Sequence, residues 1–137
     1  MNLMDKNKRY NSIDRYYKHK FGKKVAKISL NGNFSCPNKD GTKGFGGCIF
    51  CDEVGSFSRC GASSSIKEQI LTSMAHLERQ FKAEAFIAYF QSYSNTYAPV
   101  EKLKEIYDSV FFDEKIVSIS IGTRPDCIDD DKLKLIK

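Results

Sequence analysis

The sequence has no apolar run long enough to cross a membrane. No stretch approaches the roughly 18 to 20 consecutive apolar residues that a spanning helix requires, and the N-terminus, Met1 to Lys6, has no signal-type apolar region. The 137 residues, 41% of them hydrophobic, suit one domain with its own core. We therefore expect a cytoplasmic protein with no membrane partner.

Histidine is scarce, and the common nucleotide-binding motifs are missing. His19 and His76 are the two histidines, and neither is placed to form a Ser-His-Asp arrangement, which excludes nucleophilic hydrolases of that type. His76 lies beside the apolar stripe of its predicted helix, where a solvent-facing role is favoured. Neither G-x-x-x-x-G-K-[ST] nor G-x-G-x-x-G occurs, so P-loop and Rossmann sites are excluded.

What the sequence does contain is a cluster of cysteines. The five cysteines are an odd number, and four of them lie between Cys36 and Cys60 with Cys127 far away, which indicates metal binding in a reducing compartment and not a secreted disulfide framework. Cys36, Cys48 and Cys51 form C-x11-C-x2-C. A structural metal site normally takes four protein ligands, whereas three leave one position free for substrate.

Two kinds of metal site are compatible with this pattern, because thiolates suit both iron–sulfur clusters and zinc. Structural zinc would take Cys60 as a fourth ligand, in C-x11-C-x2-C-x8-C. In the cluster interpretation Cys60 and Cys127 are bystanders. The position of the segment Asn31–Cys51, hereafter the cysteine loop, favours the cluster, because it directly follows a predicted strand and parallel sheets build active sites at that edge.

Hydrophobic periodicity predicts three strand–helix units and an α/β fold. The predicted strands are residues 25–30, 85–90 and 116–121, and helices are predicted to begin at the capping box Ser65–Glu68, after Pro99 and after Asp129. The first of these helices should pack through Ile66, Ile70, Leu71, Met74, Leu77 and Phe81. Because a parallel sheet of three strands leaves an edge uncovered, we expect residues 25–137 to be the N-terminal part of a larger α/β barrel, truncated inside its last helix.

Residues 1–24 are predicted to be a basic arm. The first 27 residues contain nine of the 22 Lys and Arg residues, against two Asp. Tyr10, Tyr16, Tyr17 and Phe21 are interleaved with these cations, a pattern with which nucleic-acid surfaces pair phosphates and stack bases. A solvated arm that only aids solubility explains the composition equally well.

Four segments together carry a resemblance to a known family. They are residues 34–44 (FSCPNKDGTKG), 46–51 (GGCIFC), 89–99 (YFQSYSNTYAP) and 122–126 (GTRPD). They resemble the radical S-adenosylmethionine enzymes and, more narrowly, a bacterial subfamily related to the Elongator catalytic subunit, from about Tyr10 to the last residue. The gap of eleven residues after Cys36 is longer than the commonest family pattern, and the subfamily is similar in having a longer gap.

This resemblance implies a cofactor and a reaction. Cys36, Cys48 and Cys51 would bind three irons of a [4Fe-4S] cluster, and the fourth iron would take the amino and carboxylate groups of S-adenosylmethionine. Reductive cleavage of S-adenosylmethionine would give a 5′-deoxyadenosyl radical that abstracts hydrogen from the substrate. The resemblance also implies tRNA or other RNA modification and an electron donor such as flavodoxin or ferredoxin.

The same resemblance suggests contacts to S-adenosylmethionine. Phe50 would flank the adenine, or else only pack the loop. Arg124 could pair the methionyl carboxylate, or equally anchor a turn. Because the second strand ends without the usual Gly-Gly-Glu type segment, Gln91, Ser94 and Asn95 are the candidates for holding the methionyl amine.

Other hypotheses stay open at this point. The chain could be a non-catalytic cysteine-rich module that uses zinc or an iron–sulfur cluster to bind nucleic acid. It could also be an inactive fragment from an interrupted gene, or require a second chain to complete the barrel. Metal analysis distinguishes a zinc module from the enzyme. The module would contain zinc bound by four sulfurs, whereas the enzyme would contain iron and acid-labile sulfide.

Overall fold

The structure of the protein is a computed structural model that describes residues 9–49, 51 and 65–137. It is an α/β fold, as predicted, with a small sheet of three parallel strands in the order β1-β2-β3. The elements are α1 (Ile13–Phe21), β1 (Val25–Leu30), α2 (Ile66–Phe81), β2 (Ala85–Phe90), α3 (Val100–Asp108), β3 (Ile116–Ile121), a 3-10 turn (Pro125–Cys127) and α4 (Asp130–Ile136).

The strands end together at one edge of the sheet. Leu30 at the end of β1 pairs with Phe90 at the end of β2, and Phe90 pairs with Ile121 at the end of β3. All three strands have the predicted bounds. The cysteine loop leaves this carboxyl edge, and residues 31–49 contain no helix or strand. The register therefore brings the cysteine loop and the segments after β2 and β3 to the same edge.

Aromatic rings beneath this edge belong to the hydrophobic core. Phe90 is fully buried, with its ring centroid 6.4 Å from that of Phe34 and 5.5 Å from that of Tyr107. The Tyr107 hydroxyl donates a hydrogen bond to the Asn95 carbonyl, and burial raises the pKa of Tyr107 to about 12. Because Phe34 belongs to the cysteine loop, the loop is anchored directly in the core.

The predicted capping box is confirmed, and the acidic start predicted for the last helix supplies a cap as well. The Ser65 hydroxyl accepts from the Glu68 amide at 3.2 Å, and the Glu68 carboxylate accepts from the Ser65 amide at 2.9 Å, which is the reciprocal pair of a capping box. The Asp129 carboxylate accepts from the Lys132 amide at 3.0 Å and caps α4.

The predicted packing face of α2 is wrong at two positions. Ile70 and Met74 are buried, but Leu71 is 47% exposed and Phe81 is 49% exposed. Leu71 follows Ile70 by one position and is therefore turned about 100° around the helix, off the buried stripe. Phe81 is the last residue of α2, where the helix ends.

The basic arm contains a helix that the sequence analysis did not predict. Within α1 the rings of Tyr16 and Tyr17 lie 5.6 Å apart, and those of Tyr17 and Phe21 lie 6.1 Å apart. Gly22 ends the helix at φ +68°, where its amide donates to the Lys18 carbonyl. No residue of α1 is buried; Lys18 and Lys20 are exposed, whereas Tyr16, Tyr17 and Phe21 are half-buried. No helix within the described ranges is long and apolar enough to span a membrane.

Candidate metal and S-adenosylmethionine site

The three predicted metal ligands share one cavity at the carboxyl edge of the sheet. The cavity has a volume of about 270 Å³. None of the three cysteines is in a disulfide; Cys36 is buried, whereas Cys48 and Cys51 are half-buried. The wall is completed by residues from the loop and from the ends of β2 and β3, namely Lys39, Gly47, Tyr93, Ser94, Thr123 and Arg124.

The three sulfurs line the same cavity but are not arranged around a common point where a single metal ion could bind. Among the described residues, no three His, Cys, Asp or Glu side chains lie close enough together to hold a metal ion. The donor set itself fits a soft metal, because the described wall offers three thiols and no carboxylate.

Two polar side chains donate hydrogen bonds to the cysteine sulfurs. The Ser94 hydroxyl donates to Cys36 Sγ at 3.5 Å, and the Asn38 amide donates to Cys48 Sγ at 3.3 Å. Donors of this kind stabilise thiolates and tune the electronic properties of a bound metal. Asn38 was missed by the sequence analysis, although it lies only two residues after the first cysteine.

Gln69 of α2 holds the start of the cysteine loop. Its side-chain oxygen accepts from the Asn31 amide at 2.9 Å, and its side-chain nitrogen donates to the Asn31 carbonyl at 3.1 Å. Gln69 is 6% exposed, so this pair satisfies a buried amide in the way a neighbouring strand would. The signal in the sequence is a polar residue beside Ile70 on an apolar helix face.

The first half of the loop is a compact turn closed by backbone hydrogen bonds. The Lys39 amide donates to the Cys36 carbonyl at 2.8 Å, and the Lys43 amide donates to the Pro37 carbonyl at 2.8 Å. At Gly47, where φ is +84°, a Cβ would lie 2.8 Å from Lys39 Cε. The positive φ favours glycine here, and without a Cβ at this position Lys39 crosses Gly47 and places its ammonium 5.2 Å from the centre of the Tyr93 ring.

The segment after β2 has unusual backbone conformations beside the cavity. Ser92 and Tyr93 have φ values of +78° and +65°, which cost side-chain-bearing residues roughly 1 to 3 kcal/mol each and cluster at functional sites. The Ser94 amide donates to the Ser35 carbonyl at 3.1 Å, which joins this segment to the cysteine loop. The conformation brings Tyr93 and Ser94 to the cavity wall.

Two of the three candidates for the methionyl amine are not on that wall. Asn95 is fully buried, and its side-chain nitrogen donates to the carbonyls of Gly122 and Ser92 at 2.8 and 3.0 Å. It therefore joins the ends of β2 and β3. Gln91 follows β2 with its amide bonded to the Leu30 carbonyl at 3.2 Å. Only Ser94 lines the cavity, and an amine contact by any of the three stays a prediction.

Arg124 lines the cavity and also anchors a turn, and a contact to the methionyl carboxylate stays a prediction. Its Nε and one terminal nitrogen each donate to Asp126 at 2.9 Å. This pairing raises the pKa of Arg124 above its usual value, with smaller contributions from Cys36 and Cys48. The pKa of Asp126 is held well below its ordinary range, first by Arg124 and then by Lys43.

Predictions were also made for Phe50, Cys60 and Cys127, and the structure describes only the last of these residues. Phe50, the proposed adenine contact, and Cys60, the alternative zinc ligand, lie outside the described residues. Cys127 is buried and is not on the cavity wall. Its carbonyl accepts a hydrogen bond from the Thr96 hydroxyl at 2.7 Å, so the backbone of this residue has a structural role.

The chain is similar to bacterial and archaeal proteins that are much longer than itself. It is 42% identical over 125 residues to the uncharacterized protein YtqA of Bacillus subtilis. The aligned residues make up 90% of this chain and 39% of YtqA. It is 42% identical to YhcC of Escherichia coli K12 over 117 residues, 85% of this chain and 37% of YhcC. The uncharacterized protein MJ0486 of Methanocaldococcus jannaschii is 42% identical over 125 residues, 88% of this chain and 37% of MJ0486. No family model and no solved structure matches the chain.

Proposed function

We propose that this chain is the N-terminal part of a radical S-adenosylmethionine enzyme that modifies tRNA or another RNA. The observation that carries the proposal is the common cavity of Cys36, Cys48 and Cys51 at the carboxyl edge of a parallel sheet, with Arg124 on the same wall. Three thiols suit an iron–sulfur cluster with one open iron, and this edge is where parallel α/β folds build active sites.

In this proposal five residues of the wall have a defined task. Cys36, Cys48 and Cys51 hold a [4Fe-4S] cluster, which when bound supplies the electron that cleaves the sulfonium of S-adenosylmethionine. Ser94 donates to the Cys36 sulfur. Arg124 uses two N–H groups on Asp126, which leaves three of its five donors for a carboxylate. The buried rings beneath the site exclude water from below.

The proposal extends to the parts of the enzyme that complete the site. The chain spans less than two fifths of the length of the relatives described above. We propose that further strands, from a longer chain or a second one, pair beyond β3 and form the partial barrel. The proposed enzyme is cytoplasmic and receives its electron from a donor such as flavodoxin or ferredoxin.

Anaerobic reconstitution with iron and sulfide tests the cofactor directly. We expect the reduced protein to give a [4Fe-4S]⁺ electron paramagnetic resonance signal that shifts when S-adenosylmethionine is added. Methionine alone is the control, since it lacks the sulfonium and the nucleoside. Zinc uptake without a cluster signal would contradict the enzyme and favour the zinc module, and a cluster whose signal never shifts would favour a non-catalytic or inactive fragment.

An RNA substrate is supported by the exposed lysines of α1 and the half-buried aromatic rings beside them. Lys20 Nζ lies 5.9 Å from the ring centre of Tyr16 and 5.3 Å from that of Phe21, which places a cation beside stacking surfaces. The Lys24 carbonyl accepts from the Ala85 amide at 3.2 Å, at the amino edge of the sheet. A six-residue strand rises about 20 Å, so Lys24 would contact RNA far from the modified nucleotide.

We expect replacement of Lys18, Lys20, Lys23 and Lys24 by alanine to weaken RNA binding. Each phosphate contact contributes a slope of roughly 0.7 to 0.9 in log K against log salt, so the slope should fall by up to about 3 units. Fluorescence anisotropy with a tRNA at several salt concentrations measures both effects.

The matched control for this variant removes the same number of charges from α3 and α4. Those four positions are Lys102, Lys104, Lys132 and Lys134. If both quadruple variants lose affinity equally, binding follows net charge and not the arm. Unchanged affinity in the arm variant would exclude α1 as an RNA surface.

A further inference from the structure

An ion network joins the cysteine loop to the end of β3. Lys43 Nζ lies 2.6 Å from Asp126 Oδ2, and Arg124 donates to both oxygens of the same carboxylate, from Nε to Oδ1 and from a terminal nitrogen to Oδ2. Asp126 and Arg124 are each 29% exposed and Lys43 is 50% exposed. The contact links residues 83 positions apart and adjoins the cavity through Arg124.

Hydrogen bonds hold the turn that contains Asp126. It belongs to the 3-10 turn that follows β3, in which the Cys127 amide donates to the Arg124 carbonyl at 3.1 Å. The buried Thr96 hydroxyl donates to the Cys127 carbonyl at 2.7 Å. A carbonyl cannot donate, so the single Thr96 proton is used there and the 2.6 Å contact between Thr96 and Thr123 requires Thr123 to donate.

Lys43 is the residue of the cysteine loop that contacts Asp126. Its amide and that of Gly44 both donate to the Pro37 carbonyl, at 2.8 and 3.2 Å, so the position of Lys43 determines the position of the turn that follows Cys36. The same turn carries Asn38, which donates to the Cys48 sulfur. A restraint on Lys43 is therefore transmitted to residues around two of the three thiols.

We propose that Asp126 is a positioning residue for the proposed site, which clamps the cysteine loop through Lys43 and orients Arg124 at the cavity wall. The inference rests on the proposed function, because it assigns the clamp to the cluster and S-adenosylmethionine site. The cysteine loop and Arg124 contact the same Asp126 carboxylate, and two variants separate the effect on the loop from the effect on Arg124. Lys43→Met releases only the loop, whereas Asp126→Asn releases the loop and Arg124.

Hydrogen exchange on the metal-free chain tests the clamp without any cofactor. We expect amides of residues 38–44 to exchange about fivefold faster in Asp126→Asn and in Lys43→Met, which is the scale of one ion pair, and at the unaltered rate in Lys43→Arg. Asp131→Asn is the control, because it breaks the exposed pair with Lys134 in α4. Unaltered exchange in Asp126→Asn would overturn the clamp.

The reconstituted chain tests the orientation of Arg124. We expect Asp126→Asn to retain its iron and to weaken S-adenosylmethionine binding about tenfold, measured as the concentration dependence of the electron paramagnetic resonance shift, with a smaller effect in Lys43→Met. Equal weakening in the two variants would overturn the role of Asp126 in orienting Arg124. If the unaltered chain takes up no cluster, the proposed function fails, and the exchange measurement still decides the clamp.

Discussion

Replacing Cys48 by alanine is expected to abolish cluster binding, whereas replacing Cys60 leaves it intact. In the proposed site only three thiolates hold the cluster, so removal of one takes away a third of the ligands that the protein supplies. Cys48 lines the cavity beside Cys36 and Cys51. Iron and acid-labile sulfide after anaerobic reconstitution should fall from about four of each per cluster-bearing chain to background.

The Cys60→Ala variant is the decisive control for this experiment. The zinc alternative needs Cys60 as its fourth ligand, whereas the cluster does not use it. Equal loss of metal in Cys48→Ala and Cys60→Ala would therefore refute the three-ligand assignment. Because Cys48 is half-buried, circular dichroism of metal-free Cys48→Ala should show the secondary structure of the unaltered chain.

Replacing Phe90 by alanine is expected to lower the free energy of unfolding by about 3 to 5 kcal/mol, the usual cost of removing a buried phenylalanine. The ring is fully buried and contacts both Phe34 and Tyr107. Native domains are stable by only about 5 to 15 kcal/mol, so this is a large share of the total. Urea unfolding followed by circular dichroism measures it.

Phe45→Ala is the matched control for this effect. Phe45 lies in the same loop as Phe34 but is 85% exposed, so its removal should change the free energy of unfolding by no more than about 0.5 kcal/mol. Because Phe34 packs on Phe90, the Phe90 variant should also loosen the loop that carries Cys36. Similar unfolding free energies in the two variants would contradict the aromatic anchor beneath the cavity.

Local patterns in the sequence were sufficient for most of the secondary structure. The strands 25–30, 85–90 and 116–121 have the predicted bounds, because runs of apolar and β-branched residues between turn-forming residues depend on few distant contacts. The capping box at Ser65 was predictable for the same reason, since its two hydrogen bonds join residues three positions apart.

Local patterns failed where a distant contact determines the outcome. Helix α1 was not predicted, because its stripe is made of aromatic rings among lysines and it lies against β1. The outward position of Leu71 follows from how α2 is rotated on the sheet, which the spacing of apolar residues specified only approximately. The buried role of Gln69 needs the Asn31 backbone, 38 positions away.

In the candidate site, too, some features were predictable from local sequence patterns and others depend on tertiary contacts. By itself the sequence determined the α/β order of elements and the three-cysteine pattern, because periodicity, caps and ligand spacing are local properties. Only the tertiary structure decided which side chains surround the thiols: Ser94 and Arg124 are on the wall, whereas Asn95 is beneath the strand ends. The contact between Lys43 and Asp126 likewise depends on parallel pairing that aligns the ends of β1, β2 and β3, and hydrogen bonds across such distances leave no periodic signal in the sequence.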